Sequence, residues 1–206
     1  MTYKDKMSEA IIDSAHELFL EKSISKVYIS DIAKKAGIGE ATVYRYFKTK
    51  QNLALKVATK EWNNIRKTLD ASRQGDGYQR IYDFYNLFSD TFQKHPNFFV
   101  FLFEFDQIIL TDSTLDFSEY QHTLSEIKML YDEAYRLGLE DHSIRPVEDI
   151  GLYYYTTTHS LLSLCKKMAT DNLVDIGLGI DKNKEIQLLI KIITDRLKGD
   201  KNEKTK

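Results

Sequence analysis

Apolar positions recur every three or four residues along most of this chain, the spacing that gathers them on one face of a helix. Ile11, Ile12, Ala15, Leu18 and Phe19 make a first stripe. Leu53, Val57, Trp62, Ile65 and Leu69 predict a helix from about 50 to 72, and Ile81, Phe84, Tyr85, Phe88 and Phe92 predict the next. Leu124, Ile127, Leu130, Tyr131, Ala134 and Leu137 follow, with an end near Gly138. Ile150, Tyr153, Tyr154, Thr157, Leu161, Leu162, Cys165 and Met168 continue after Pro146, and Ile186, Leu189, Ile190, Ile193 and Leu197 close the series. The two prolines, Pro96 and Pro146, stand where helices can begin. One segment breaks the period: in FFVFLFEF the rings of Phe99, Phe101, Phe103 and Phe105 alternate as in a strand. It has no second strand to pair with, and a lone strand would leave its backbone unsatisfied, so a buried helix is expected there too. The charged tail GDKNEKTK is expected to fray.

Residues 29–50 carry the chemistry. Ile29, Ile32, Ala33 and Ala36 are spaced as on a helix, and Gly37 permits the positive φ that ends one. A second short helix, about 40 to 47, turns Val43 and Phe47 inward. It leaves Glu40, Ala41, Thr42, Tyr44, Arg45 and Tyr46 outward or sideways. Two short helices joined by a glycine-containing turn make a helix-turn-helix, whose second helix enters the major groove of DNA. Hydroxyls and ammonium groups suit phosphate, and arginine can fork onto guanine. A solvated amphipathic helix would show a similar face, so spacing alone puts DNA binding only slightly ahead.

Charge supports a polyanion partner. Residues 1–56 hold ten Lys and Arg against seven Asp and Glu, whereas the remainder holds 19 against 24. A basic N-terminal quarter thus sits on an acidic body. Aromatic residues make up 12% of the chain and all the hydrophobic residues 42%, enough for a core without staples. The one cysteine, Cys165, excludes an internal disulfide framework and points to a reducing compartment. The N-terminus reads as neither signal peptide nor anchor, and no apolar run is long enough to span a membrane. The expectation is a cytoplasmic protein.

From about residue 10 to 58 the chain resembles the N-terminal domain of the tetracycline-repressor (TetR) family of transcriptional regulators. The matching residues are Ala15 and Phe19, Asp31-Ile32-Ala33, Ala36-Gly37-Ile38, Thr42-Val43-Tyr44, Tyr46-Phe47, Lys50 and Leu53. The resemblance implies an all-α, dimeric, cytoplasmic regulator. A three-helix DNA-binding domain over residues 1–50 is followed by a helical ligand-binding and dimerisation domain over 51–206, with helix 50–72 joining the two. It implies phosphate contacts at Thr42, Tyr44, Tyr46 and Lys50, and base-facing positions at 40, 41 and 45. Three positions depart from the family pattern. Tyr28 stands where a threonine usually caps the second helix, leaving Ser30, with a shifted helix start, or the phenol itself to replace it. Gly39 replaces the usual serine cap of the recognition helix, and Ala41 a glycine or proline. Glu40 either reads a cytosine amine or is only a favourable charge at a helix N-terminus.

In the family the later helices hold an effector pocket and the dimer interface. Tyr85, Phe88, Phe103, Tyr131 and Tyr154 are candidate walls for a flat or apolar effector. Glu104, inside the apolar run, either meets a cationic effector or pairs with a lysine. His159 reads as a satisfied core histidine. Tyr153, Leu161, Ile186, Leu189, Ile190 and Ile193 are the candidate dimer residues, and the extra apolar Leu188 and Ile192 argue for a helix pair burying ~1,500 Å² or more. The expected partners are a double-stranded DNA operator that the small effector releases, and a second copy of the chain. Neither cofactor nor metal is expected: the five histidines show no ligand spacing and no glycine-rich phosphate loop occurs. The competing readings are a helical adaptor or an enzyme without DNA binding.

Overall fold

The computed structural model describes residues 2–109, 112–170, 179 and 181–199. Among these, nine α-helices and one short 3-10 turn occur and no strand. The helices are α1 (Tyr3–Glu21), α2 (Ile29–Lys35), α3 (Glu40–Phe47), α4 (Lys50–Ala71), α5 (Gly77–Lys94), α6 (Asn97–Ile109), α7 (Ser118–Glu140), α8 (Ile150–Thr170) and α9 (Lys182–Leu197); the 3-10 turn is Ile24–Lys26. The all-α expectation holds. The charged tail from 200 onward lies outside the described residues.

The chain forms two compact units: Met1–Asn64 with Val100–Leu124, and Ile65–Phe99 with Ser125–Lys206. Helices α4, α6 and α7 each contribute to both. In the first unit Ile11, Ala15, Leu18 and Phe19 of α1 are buried, as their stripe predicts. Phe19 stacks on Phe101 of α6 at 6.2 Å. Trp62 is buried and donates its indole N–H to the Tyr120 hydroxyl at 3.1 Å.

The segment that alternates like a strand is α6. Its backbone is satisfied within the helix, and Phe98, Phe99, Phe101, Leu102 and Phe105 are buried. Phe103 is the exception, 44% exposed, so the helix is not apolar-buried all round.

In the second unit α5 packs on α8 and α9. Asp76 caps α5, accepting from the Gln79 N–H at 2.8 Å. The next residue, Gly77, lies against Gly138 of α7: a Cβ on Gly77 would stand 2.0 Å from the Gly138 nitrogen. Gly138 therefore sits within α7, two residues before its end, and serves as a contact point rather than a terminator. Pro96 directly precedes α6, whereas Pro146 lies four residues before α8, in a loop where the Val147 N–H donates to the Tyr135 hydroxyl at 3.0 Å.

Candidate nucleic-acid interface

The turn between α2 and α3 forms as its glycine predicts. Gly37 has φ 69°, the Ile38 N–H donates to Ala33 O at 3.0 Å, and the Gly37 N–H to Lys34 O at 3.2 Å. These two bonds satisfy the last carbonyls of α2 and fix the direction in which α3 leaves. Gly39 caps α3 with extended backbone and no side-chain bond. On α3, Val43 and Phe47 are buried; Glu40, Ala41, Tyr44 and Arg45 are exposed; Thr42 and Tyr46 are half-buried. The Arg45 guanidinium carbon lies 5.8 Å from the Tyr46 ring centroid, so the cation rests on an aromatic face beside the exposed Tyr44. One face of α3 thus offers a carboxylate, a phenol and a guanidinium to solvent.

Ser30 does not cap α2. The helix begins at Ile29 with Tyr28 as its cap residue, and the Tyr28 N–H donates to the Asp31 carboxylate at 3.0 Å. The acid three residues inside the helix takes over one half of a reciprocal cap, and Ser30 and the Tyr28 phenol are left exposed.

The 3-10 turn between α1 and α2 is clamped from two sides. Glu104 of α6 accepts from the Ile24 N–H at 2.6 Å and from the Ser23 hydroxyl. The Lys50 ammonium, at the start of α4, donates to Ile24 O at 2.9 Å and Val27 O at 3.0 Å. Ser23 has φ 88°, a conformation that disfavours side chains, and both of its bonds hold it there. Lys50 therefore spends two of its three N–H donors on carbonyls of its own chain, which its expected phosphate role did not include. Glu104 does not pair with a lysine: its partners are a backbone amide and a hydroxyl about 80 residues earlier. An acid inside an apolar run was legible as special; which amide it would serve was not.

The expected pocket residues fall in two groups. Phe103 and Glu104 belong to the first unit, and Tyr85, Phe88, Tyr131 and Tyr154 to the second. In the second, Phe84 meets Tyr131 edge-on at 5.1 Å and Tyr131 meets Tyr154 at 4.9 Å. The Tyr85 hydroxyl lies 3.1 Å from that of Tyr131 and 2.7 Å from Thr157 Oγ1. These rings form a closed cluster. Tyr131, with Phe84, is the part that reaches a cavity lined also by Leu69, Arg73, Arg80, Leu130 and Glu133. Arg73, Arg80 and Phe84 were absent from the sequence-based set. Burial pushes the Tyr85 phenol up to about 12, and the Cys165 thiol likewise to about 12, so both stay protonated.

The expected dimer residues need correction. Leu161, Ile186, Ile190 and Ile193 are buried in the core of their own chain, Ile190 completely. Tyr153 is half-buried and hydrogen-bonds to Ile193 O at 2.5 Å. The apolar surface left to solvent lies one step round the same helices: Leu152 (66% exposed) and Tyr155 on α8, Leu188 (58%) and Ile192 (60%) on α9, with Leu189 half-buried between. His159 is exposed beside Tyr155 rather than buried.

Comparison with known proteins places the N-terminal helices. Residues 11–57 match the family described as bacterial regulatory proteins, tetR family. The HTH-type transcriptional regulator AlkX of Mycobacterium tuberculosis is 31% identical over 70 residues, 32% of this chain and 33% of that protein. The chain thus aligns with about a third of the length of that curated relative. Two solved structures share the fold over nearly the whole chain. The fatty acid degradation regulator FadR from Bacillus halodurans has a TM-score of 0.67 at 17% identity, covering 94% of this chain and 96% of its own. RolR, in complex with resorcinol, has 0.64 at 17%, covering 97% and 91%. The likeness to the tetR family of bacterial regulatory proteins thus rests on residues 11–57, in α1 to α4, and on the fold shared with the two solved structures.

Proposed function

We propose that this chain is a ligand-responsive, DNA-binding transcriptional regulator, a repressor that leaves its operator when a small apolar or aromatic effector binds. The exposed face of α3 carries this reading: Glu40, Ala41, Tyr44 and Arg45 stand on a helix locked from behind by Val43 and Phe47. Residues 1–50 act as the reading head, with Ser30, Gly39, Thr42, Tyr46 and Lys50 at its margin toward phosphate; residues 51–206 hold effector and partner. The matched relative's name as a transcriptional regulator supports the class, and a neighbour solved with resorcinol supports a cavity for small molecules in this fold. Two copies pair through the exposed apolar face of α8 and α9, spacing two α3 helices to successive major grooves. The working compartment is the cytoplasm, where the DNA is; no described helix is long and apolar enough to cross a membrane.

Fluorescence anisotropy tests the reading, using duplexes selected from a random pool at two salt concentrations. A regulator shows affinity that falls steeply with salt and a sequence preference above it. Arg45→Ala relaxes that preference at one position per half-site by about 1–3 kcal/mol. Salt-independent binding, or none, rejects the proposal in favour of an adaptor.

A further inference from the structure

Three arginines of the second unit lie near one another in sequence and differ in their surroundings. Arg66 faces Glu126 at 3.4 Å, and Arg73 is held by Asp70 at 2.8 Å and Glu133 at 2.9 Å. Arg80, half-buried on α5, forms no ion pair among the described residues, and its Nε is enclosed without a hydrogen-bond partner. An enclosed N–H without an acceptor is costly, so the Arg80 Nε calls for one, and an anion supplies the strongest. Arg80 also lines the cavity of Leu69, Phe84 and Tyr131 described above. Glu133 lines it too, but Arg73 already occupies that carboxylate. The remaining charge on the wall is positive, and apart from Ser72 the rest of the wall is aromatic and aliphatic.

The size of the cavity refines the ligand. Its volume is about 30 Å³. One water needs roughly 10–15 Å³, so the enclosed part takes a head of two or three heavy atoms and excludes a ring. A larger body must lie outside it, against Leu69 and Leu130, the half-buried apolar residues of its lining. Phe84 and Tyr131 cannot turn aside, because both are wedged into the cluster with Tyr85 and Tyr154.

We infer that this cavity takes a small organic carboxylate, its head on the Arg80 guanidinium and its apolar body against the half-buried Leu69 and Leu130. The inference rests on the reading of residues 51–206 as the effector-binding part and gives that effector a charge. It is an anion, and the cation preference attached to Glu104 does not apply, since that carboxylate belongs to the clamp on Ile24. Planar carboxylate and planar guanidinium pair through two parallel hydrogen bonds, which an amide or ester cannot reproduce.

Isothermal titration of the full chain with benzoate and with octanoate tests this and separates an aryl from an acyl body. Benzamide and octanamide serve as uncharged controls, and Arg80→Gln and Arg80→Met as variants. At least one acid is expected to bind, its amide at least about tenfold more weakly, and Arg80→Gln to lose about tenfold for the acid but not for the amide. Arg80→Met, which keeps the stem and removes the unpartnered Nε N–H, is expected to melt at or above the parent temperature without ligand. The proposal is overturned if neither acid binds at millimolar concentration, if amide and acid bind alike, or if Arg80→Gln leaves acid binding unchanged. It is equally overturned if Arg80→Met melts several degrees lower, since the guanidinium would then have a partner within the protein. Duplex binding of the ligand-free proteins is measured alongside. Its absence would remove the regulator reading while leaving carboxylate binding to stand or fall by itself.

Discussion

Replacing Glu104 by alanine removes both acceptors that the turn between α1 and α2 depends on. The first loss is at Ile24, which is buried, so its N–H is left without a partner; an unsatisfied buried donor costs about 1–3 kcal/mol. The second loss is smaller, because the half-buried Ser23 hydroxyl keeps Ser25 Oγ at 2.8 Å. Relaxation of Ser23 away from φ 88° returns part of the strain, which for such a conformation is about 1–3 kcal/mol. The net expectation for Glu104→Ala is a loss of about 1–3 kcal/mol, and for Glu104→Gln, which retains one acceptor oxygen, about half of that. For a chain of this length that is a fall in melting temperature of roughly 2–12 °C for alanine. Thermal unfolding followed by circular dichroism measures it. Hydrogen exchange localises it: the Ile24 amide exchanges roughly tenfold faster or more in the alanine variant, while amides of α5 and α9 are unchanged. If Glu104→Ala stays within about 0.5 kcal/mol of the parent and Ile24 exchange does not move, the clamp carries no weight and the argument fails.

Lys50→Ala strips the other side of the same turn; a loss of about 1–2 kcal/mol in denaturant unfolding is expected alongside weaker duplex binding, whereas a pure phosphate contact would leave stability untouched. Ile192→Glu, at an exposed position, is expected to give monomers in sedimentation with the melting temperature nearly kept, whereas Ile190→Glu puts a charge into the chain's own core and unfolds it; a dimeric, stable Ile192→Glu would place the interface elsewhere. Burial raises the Tyr85, Tyr120 and Tyr153 phenols to about 12. The unfolded chain, with phenols near 10, therefore loses protons first; their contribution to stability is intact below about pH 10 and is lost as pH rises toward 12, as a series of urea titrations would show.

The helices were legible because each carries its own stripe, and a stripe is a local property. Gly37 and the inward pair Val43 and Phe47 were legible for the same reason: the turn and the short helix behind it are complete within 20 residues. On α9 the extra apolar Leu188 and Ile192 were legible as lying beside the main stripe. That Ile190 and its stripe are covered within the chain, and so are not available to a partner, is decided by the packing of α5 and α8. Glu104 shows the same limit. Its place among phenylalanines stood out, but its partner is set by the approach of α6 to the α1–α2 turn, a contact no spacing rule contains. Arg80 gave no signal at all, because one arginine on a helix reads as solvated until its missing acceptors can be seen.

The first unit is assembled from two separated stretches of chain, and that constrains how such proteins can be recombined. A chimera joined at residue 50 would import a foreign reading head without the α6 residue that holds its turn. Glu104 would then face whatever amide and side chain the donor supplied in place of Ile24 and Ser23. A graft that carries residues 1–64 together with 100–124 keeps donor and acceptor from the same parent. Exchange of specificity between relatives should therefore succeed or fail according to whether a short piece of α6 travels with the first four helices.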